Sequence, residues 1–217
     1  TPQAGQDWRR RGVFCADDEW SNGYGAEAFT TLTYHFEETD FLESLRDSLV
    51  TQWSDGTAVP LDGQLVSLKP ILDEHFPYTQ PAPSRELNGV RQYTAAAATP
   101  VLLAALNQGS LLALYEGHAN QYVLSSEYWF QDEPTIPNLR TDVSLLANDN
   151  RPWFFIGYGC HIADWAQNPV KSDFIPWERS LGEKFLIRPS SGASGVYASS
   201  GYEFITANRV LGEYLSR

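Results

Sequence analysis

Two apolar runs constrain this chain more than any other feature. "SLLAL" (110–114) and "PWFFI" (152–156) place apolar side chains at consecutive positions, without the polar alternation of a half-solvated strand. Such runs fit strands buried on both faces of a sheet. Each leads into a glycine-bearing segment with a reactive side chain: "YEGHAN" (115–120) carries His118 and "GYGCHI" (157–162) carries Cys160.

The rest of the chain alternates around them. "GVFCA" (12–16) and "LVSLKPIL" (65–72) read as further strands, and "ASGVYAS" (193–199) as another. Helices are expected from Ala26 to Val50, where Phe29, Leu32, Phe36, Phe41, Leu45 and Leu49 recur near helical spacing. Others are expected from Thr99, with Pro100 in the first position and Gly109 as the stop, over "WERSLGEKFLI" (177–187), and over 203–215. Residues 51–64, the proline-broken 75–89 and the polar stretch from 116 to about Asn150 read as loop. Strand and helix in that rhythm predict an α/β fold: a mostly parallel sheet with helices on both faces. Nothing repeats and no linker divides the chain, so residues 1–217 are expected to belong to one domain.

Composition removes several function classes. A formal charge of −12 argues against nucleic acid, which calls for clustered Lys and Arg. The basic "WRRRG" (8–12) reads as a solvated start of a strand. No apolar run reaches the ~18 residues that a transmembrane helix requires. The chain starts at Thr1 and holds no methionine. It is therefore expected to be cut from a longer precursor, any secretion signal lying in the removed part. Cys15, within "GVFCA", reads as a buried small hydrophobe. Cysteines and histidines at zinc spacing are absent from the sequence, so a structural zinc site is not expected. "ADDEWSNG" (16–23) groups Asp17, Asp18 and Glu19 on one turn, the oxygen-rich chemistry that calcium prefers, although acidic turns are commoner than calcium sites.

In parallel sheets, ligands bind beyond the carboxyl ends of the strands, where His118 and Cys160 both stand. A free thiol, with a pKa of about 8.5, is mostly protonated at neutral pH. A neighbouring imidazole corrects this by taking the proton and later returning it to the leaving amine. The backbone N–H groups of Ala119 and Cys160 are the candidate oxyanion donors. Glycines 117, 157 and 159 are expected to allow close backbone approach and to leave N–H groups free. His161 is expected to point away from Cys160, as its neighbour on an extended segment. His35 and His75 read as surface or packing residues. The plainer alternative is a polar turn and a half-buried thiol.

"YEGHAN", then "PWFFIGYGCHIADW", then "ERSLGEKFLIRPSSGASGVYASSGYEF" resembles, in order, the gingipain-type cysteine peptidases, relatives of the caspases. The opening "DWRRRGVFCADDEWSNG" and "VSLKPILDEHFP" are similar to earlier strands of that family. The resemblance implies a caspase-like fold with His118 as base, Cys160 as nucleophile, and the backbone at Ala119 and Cys160 as oxyanion hole. Where the family has a second glycine after the histidine, this chain has Ala119. "ASSGYEF" (198–204) follows the strand that walls the family's specificity pocket. Tyr202 and Glu203 are thereby implied to contact the residue before the scissile bond, Glu203 favouring Arg or Lys. Glu203 could equally serve the dipole of the closing helix.

The implied protein is a secreted or cell-surface endopeptidase acting on peptide or protein substrates and processed into two or more chains. The family's earlier strands have no counterpart here. The fold is thus expected to be incomplete without a companion N-terminal chain beside strand 12–16. Two alternatives share the fold: a catalytically idle binding or assembly protein, and a sorting transpeptidase using the same dyad.

Overall fold

The computed structural model describes residues 7–16, 20–21, 33–34, 71–72, 86–87, 90–91, 97–125, 128–132, 140–165 and 179–215. Its strands are β1 (Gly12–Ala16), β2 (Trp20–Ser21), β3 (Thr33–Tyr34), β4 (Ile71–Leu72), β5 (Glu86–Leu87) and β6 (Val90–Arg91). Helix α1 (Ala98–Asn107) precedes β7 (Leu112–Glu116), β8 (Ala119–Asn120), β9 (Val123–Leu124), β10 (Phe130–Gln131) and β11 (Trp153–Tyr158). Helix α2 (Leu181–Ile187), β12 (Ala193–Ala198) and α3 (Ile205–Leu215) close the order.

The apolar runs form a five-stranded sheet in the order β12–β11–β7–β1–β4. Every pairing in it is parallel, with Tyr115 opposite Cys15 and Gly157, and Glu116 opposite Ala16 and Tyr158. Alternation along the strands sends Val13, Cys15, Ala113, Tyr115, Trp153 and Phe155 into one core with Leu102 and Leu106 of α1 and Leu181 and Phe185 of α2. The Phe185 ring meets Trp153, Phe155 and Phe130 edge-on, at centroid distances of 5.2, 5.1 and 5.5 Å. Each such contact adds about 0.5–1.5 kcal/mol beyond burial. Phe14, Leu114, Glu116 and Tyr158 are buried on the opposite face, where Asn208 of α3, itself buried, lies near Glu116.

Helix α1 begins at Ala98, so Pro100 occupies its third position rather than its first. Its end falls where expected: the Gly109 N–H donates to the Leu106 carbonyl at 3.0 Å. Helix α2 starts at Leu181, because Glu183 Oε2 accepts from both the N–H (2.8 Å) and the Oγ (3.0 Å) of Ser180.

Several expectations are corrected. Thr33–Tyr34 pairs antiparallel with Trp20–Ser21 inside the stretch read as helix, the rest of which lies outside the described residues. The β-branched and aromatic "TLTY" suits an edge pairing as well as it suits a helix face. Glu86–Leu87 pairs with Val90–Arg91 within the segment read as irregular. The stretch read as loop after Glu116 holds a three-stranded antiparallel sheet, β10–β9–β8, and a 3-10 turn over Asp142–Leu145. Charged side chains fasten that small sheet to α2, where Lys184 Nζ lies 3.0 Å from Asp132 Oδ2, and to the 3-10 turn, where Asp142 Oδ2 accepts from Gln131 N–H at 2.8 Å. Finally, β1 is flanked by β7 along its length and by β4 at Cys15 and Ala16, so a companion strand cannot pair beside those two residues. Among the described residues the outermost strand on that side is β4.

Candidate active site

Because β7 and β11 are neighbours with Glu116 opposite Tyr158, the residues just beyond them run side by side. Gly117 continues the ladder, its N–H donating to the Tyr158 carbonyl at 3.0 Å. Its φ of 144° is a conformation that favours glycine. Gly159 lies directly against this turn: a Cβ there would stand 2.7 Å from the Gly117 carbonyl oxygen and 2.9 Å from Ala119 Cβ. The two strand ends are therefore in contact. His118 and Cys160, each half-buried, are the next residues on either side of it.

Local bonds hold the His118 turn. The fully buried Tyr115 hydroxyl donates to the His118 carbonyl at 2.5 Å and accepts from the Ser125 N–H at 2.8 Å. That N–H also donates to the His118 carbonyl at 2.8 Å. Ala119 begins β8, opposite Leu124, so its position is set by the small sheet. The Cys160 turn is held from further away. The N–H groups of His161 and Ala163 donate to the Gly201 and Ser199 carbonyls, both at 2.8 Å, and Gly182 N–H of α2 donates to the Ile162 carbonyl at 2.9 Å. The sulfur itself meets the backbone of Glu203, whose N–H lies 3.3 Å from Sγ and whose carbonyl oxygen lies 3.7 Å away.

The sequence-derived site residues separate into groups. The turns of His118, Ala119 and Cys160 come together, and Glu203 joins them through its backbone. Tyr202 is 81% exposed and stands edge-on to the His161 ring at 4.7 Å. The Glu203 carboxyl is partly buried, near Gly159, Ser199 and Asn208, and its Oε2 is buried without a hydrogen-bond partner. Asp17, Asp18 and Glu19 lie outside the described residues, as do His35 and His75. Among the described residues no group of three or more His, Cys, Asp or Glu side chains is placed to hold a metal ion.

Two geometric premises fail. The N–H group of Gly117 is committed to the Tyr158 carbonyl rather than left free. His161 is not on an extended segment: its φ is 59°, and its Nδ1 lies 3.3 Å from Asp164 Oδ2. Sequence reasoning also passed over Glu116, at the end of β7 and only 1% exposed. Burial pushes its carboxyl well above the ordinary glutamate range, the charge of Glu203 adds to this, and a hydrogen bond from Asn208 opposes it. Burial likewise raises Glu203, against hydrogen bonds from Asn208, Gly159 and Ser199. The signal was present in "LLALYEGH": a glutamate at a strand position whose neighbours are all apolar.

This geometry coincides with the family comparison. The chain matches peptidase family C25 over residues 1–217, and it belongs to that family. Its fold is caspase-like, and it is similar to the Arg-specific cysteine proteinase gingipain R (RgpB), with a TM-score of 0.54 and 15% identity over 97% of this chain. It is also similar to RgpB from Porphyromonas gingivalis in a complex of its pro- and mature domains, with a TM-score of 0.55 and 16% identity over 98% of this chain. The chain spans 38% and 39% of the length of those two chains. No curated protein gives a significant match. Among the described residues no helix is long and apolar enough to cross a membrane.

Proposed function

We propose that the chain supplies the nucleophile and base of a cysteine endopeptidase, with residues 1–217 forming part of a caspase-like catalytic domain. The observation that carries this reading is the packing of Gly159 against Gly117 and Ala119, which joins the two reactive turns at the carboxyl ends of adjacent strands. Membership of family C25 supports the same assignment.

In this reading His118 takes the Cys160 proton and the thiolate attacks the scissile carbonyl carbon. The N–H groups of Cys160 and Ala119 receive the developing oxyanion, and His118 returns the proton to the leaving amine. Water then attacks the thioester carbonyl, with His118 as base, and releases the acid product and the thiol. Exposed Tyr202 lies on the open side of the turn as a substrate contact. Glu203, whose backbone lies against the Cys160 sulfur, is placed beside it as the second substrate contact. The companion is an N-terminal chain of the same precursor docked toward β4, in a secreted or cell-surface protein. The solved complex of RgpB pro- and mature domains offers a precedent within the family.

A peptidyl vinyl sulfone tests this reading. It should modify Cys160 in the full-length protein and give no adduct with Cys160→Ala. A folded protein that is never labelled, across a panel of peptide sequences, would instead support an idle binding fold.

A further inference from the structure

His161 stands next to Cys160 and has no part in the steps derived so far. Its backbone takes the left-handed conformation, at a φ of 59°, which a histidine adopts uncommonly. Conformations of this kind collect at active sites and ligand clamps. Bonds to a second segment hold it there. The His161 and Ala163 N–H groups reach the Gly201 and Ser199 carbonyls, both at 2.8 Å, so 161–163 and 199–201 run antiparallel.

The ring is fixed as well as the backbone. Nδ1 lies 3.3 Å from Asp164 Oδ2, and the Tyr202 ring stands against the imidazole at a centroid distance of 4.7 Å and an interplanar angle of 80°. The side chains of His161 and Asp164 are 26% and 20% exposed, so the pair meets solvent without lying free in it. Among the described residues Nε2 has no hydrogen-bond partner. The Cys160 sulfur hydrogen-bonds to the Glu203 backbone and not to this ring, so His161 is not a second base for the thiol. With Nδ1–H directed to Asp164, the neutral ring carries its lone pair on Nε2. An oriented imidazole with an open acceptor, one residue from the nucleophile, is poised to hold what the nucleophile attacks.

We propose that His161 is a substrate-binding residue whose Nε2 accepts a hydrogen bond from a main-chain N–H of the bound peptide. Asp164 and Tyr202 are the positioning residues that keep the ring in place. The ligand class is an extended peptide recognised through its main chain, a contact indifferent to side-chain identity. It therefore acts beside the side-chain contacts of Tyr202 and Glu203. A main-chain bond fixes where the peptide lies, and so brings the scissile carbonyl to the sulfur.

The inference rests on Cys160 as the nucleophile of a peptidase, and two reagents separate it from that reading. Iodoacetamide reports the thiol together with its base, whereas a peptidyl vinyl sulfone also requires peptide recognition. Both rates are followed at Cys160 by peptide mass spectrometry, in the full-length protein and at one pH. Every protein compared keeps His118, so its effect on the thiol is common to all. His161→Asn keeps a donor near the Nδ1 place and suits a left-handed backbone, but puts nothing at Nε2. It should slow vinyl sulfone labelling about fivefold to tenfold, the worth of one hydrogen bond, and leave iodoacetamide alkylation unchanged. In a set of vinyl sulfones each N-methylated at one amide, one member should lack the contacted N–H. That member should label wild type and His161→Asn at equal rates.

Equal labelling of both proteins by the parent probe would overturn the proposal. So would a parallel fall in iodoacetamide alkylation, which marks damage to the sulfur, or a wild-type advantage kept by every N-methylated probe. Circular dichroism reports folding. If His161→Asn does not fold, Asp164→Ala decides: the released ring should slow vinyl sulfone labelling severalfold with alkylation unchanged, and no change overturns the proposal. A folded wild type that no peptidyl probe labels defeats the endopeptidase reading and this contact with it. Labelling that ignores these substitutions defeats the contact alone.

Discussion

The turn carrying His118 is fastened by residues 3 and 10 positions apart, Tyr115 to His118 and Tyr115 to Ser125. The turn carrying Cys160 takes the bonds to its sulfur from a residue 43 positions away. The first can form as soon as β7 and the small sheet meet. The second is complete only after α2 and β12 have packed and the 199–203 segment has closed over it. The base is thus set by local chemistry and the nucleophile by tertiary assembly. Damage far along the chain should disable the sulfur while leaving the imidazole where it is.

The largest effect expected is on catalysis. His118→Ala should cut peptide turnover on the order of 10²-fold or more, while thermal melting stays close to wild type. Equal turnover in the variant would break the comparison at its base-carrying half. Next comes the junction of the two turns. Gly159→Ala forces a methyl group into a backbone oxygen and a neighbouring Cβ, and should cost about 1–3 kcal/mol in denaturant unfolding. It should also lower vinyl sulfone labelling of Cys160. The smallest effect belongs to the local turn alone. Tyr115→Phe removes a buried hydroxyl, but the Ser125 N–H and the His118 carbonyl still bond to each other at 2.8 Å. The loss should be about 1 kcal/mol. Its catalytic effect should fall on turnover, with iodoacetamide labelling of Cys160 unchanged.

The same contrast explains what could be read from the sequence. Strands 12–16 and 153–158 were legible to the residue, and strand 193–198 nearly so, because an unbroken apolar run has few other ways to be buried. The stop of α1 at Gly109 was legible for an equally local reason. The pieces missed are those whose stability comes from elsewhere. Two-residue strands β8, β9 and β10 have no periodicity to detect, and they stand because Asp132 and Asp142 are answered by Lys184 and a backbone N–H. The hairpin at Glu86–Arg91 did carry a local signal, the Asn88–Gly89 pair between two short runs, and was passed over amid the prolines. The two reactive residues were found because each follows an apolar strand. The carboxyl cluster was not, since only the folded chain brings Glu116 to Glu203.

Cys15 gives the molecule an internal gauge. The residue is 3% exposed, its thiol donates to the Leu114 carbonyl at 3.3 Å, and burial holds the thiol well above its ordinary range. A thiol reagent therefore finds one addressable sulfur in the native chain and a second only when β1 parts from β7. The slow equivalent counts openings of the central sheet while the fast one reports the site, so one labelling time course measures both in the same tube.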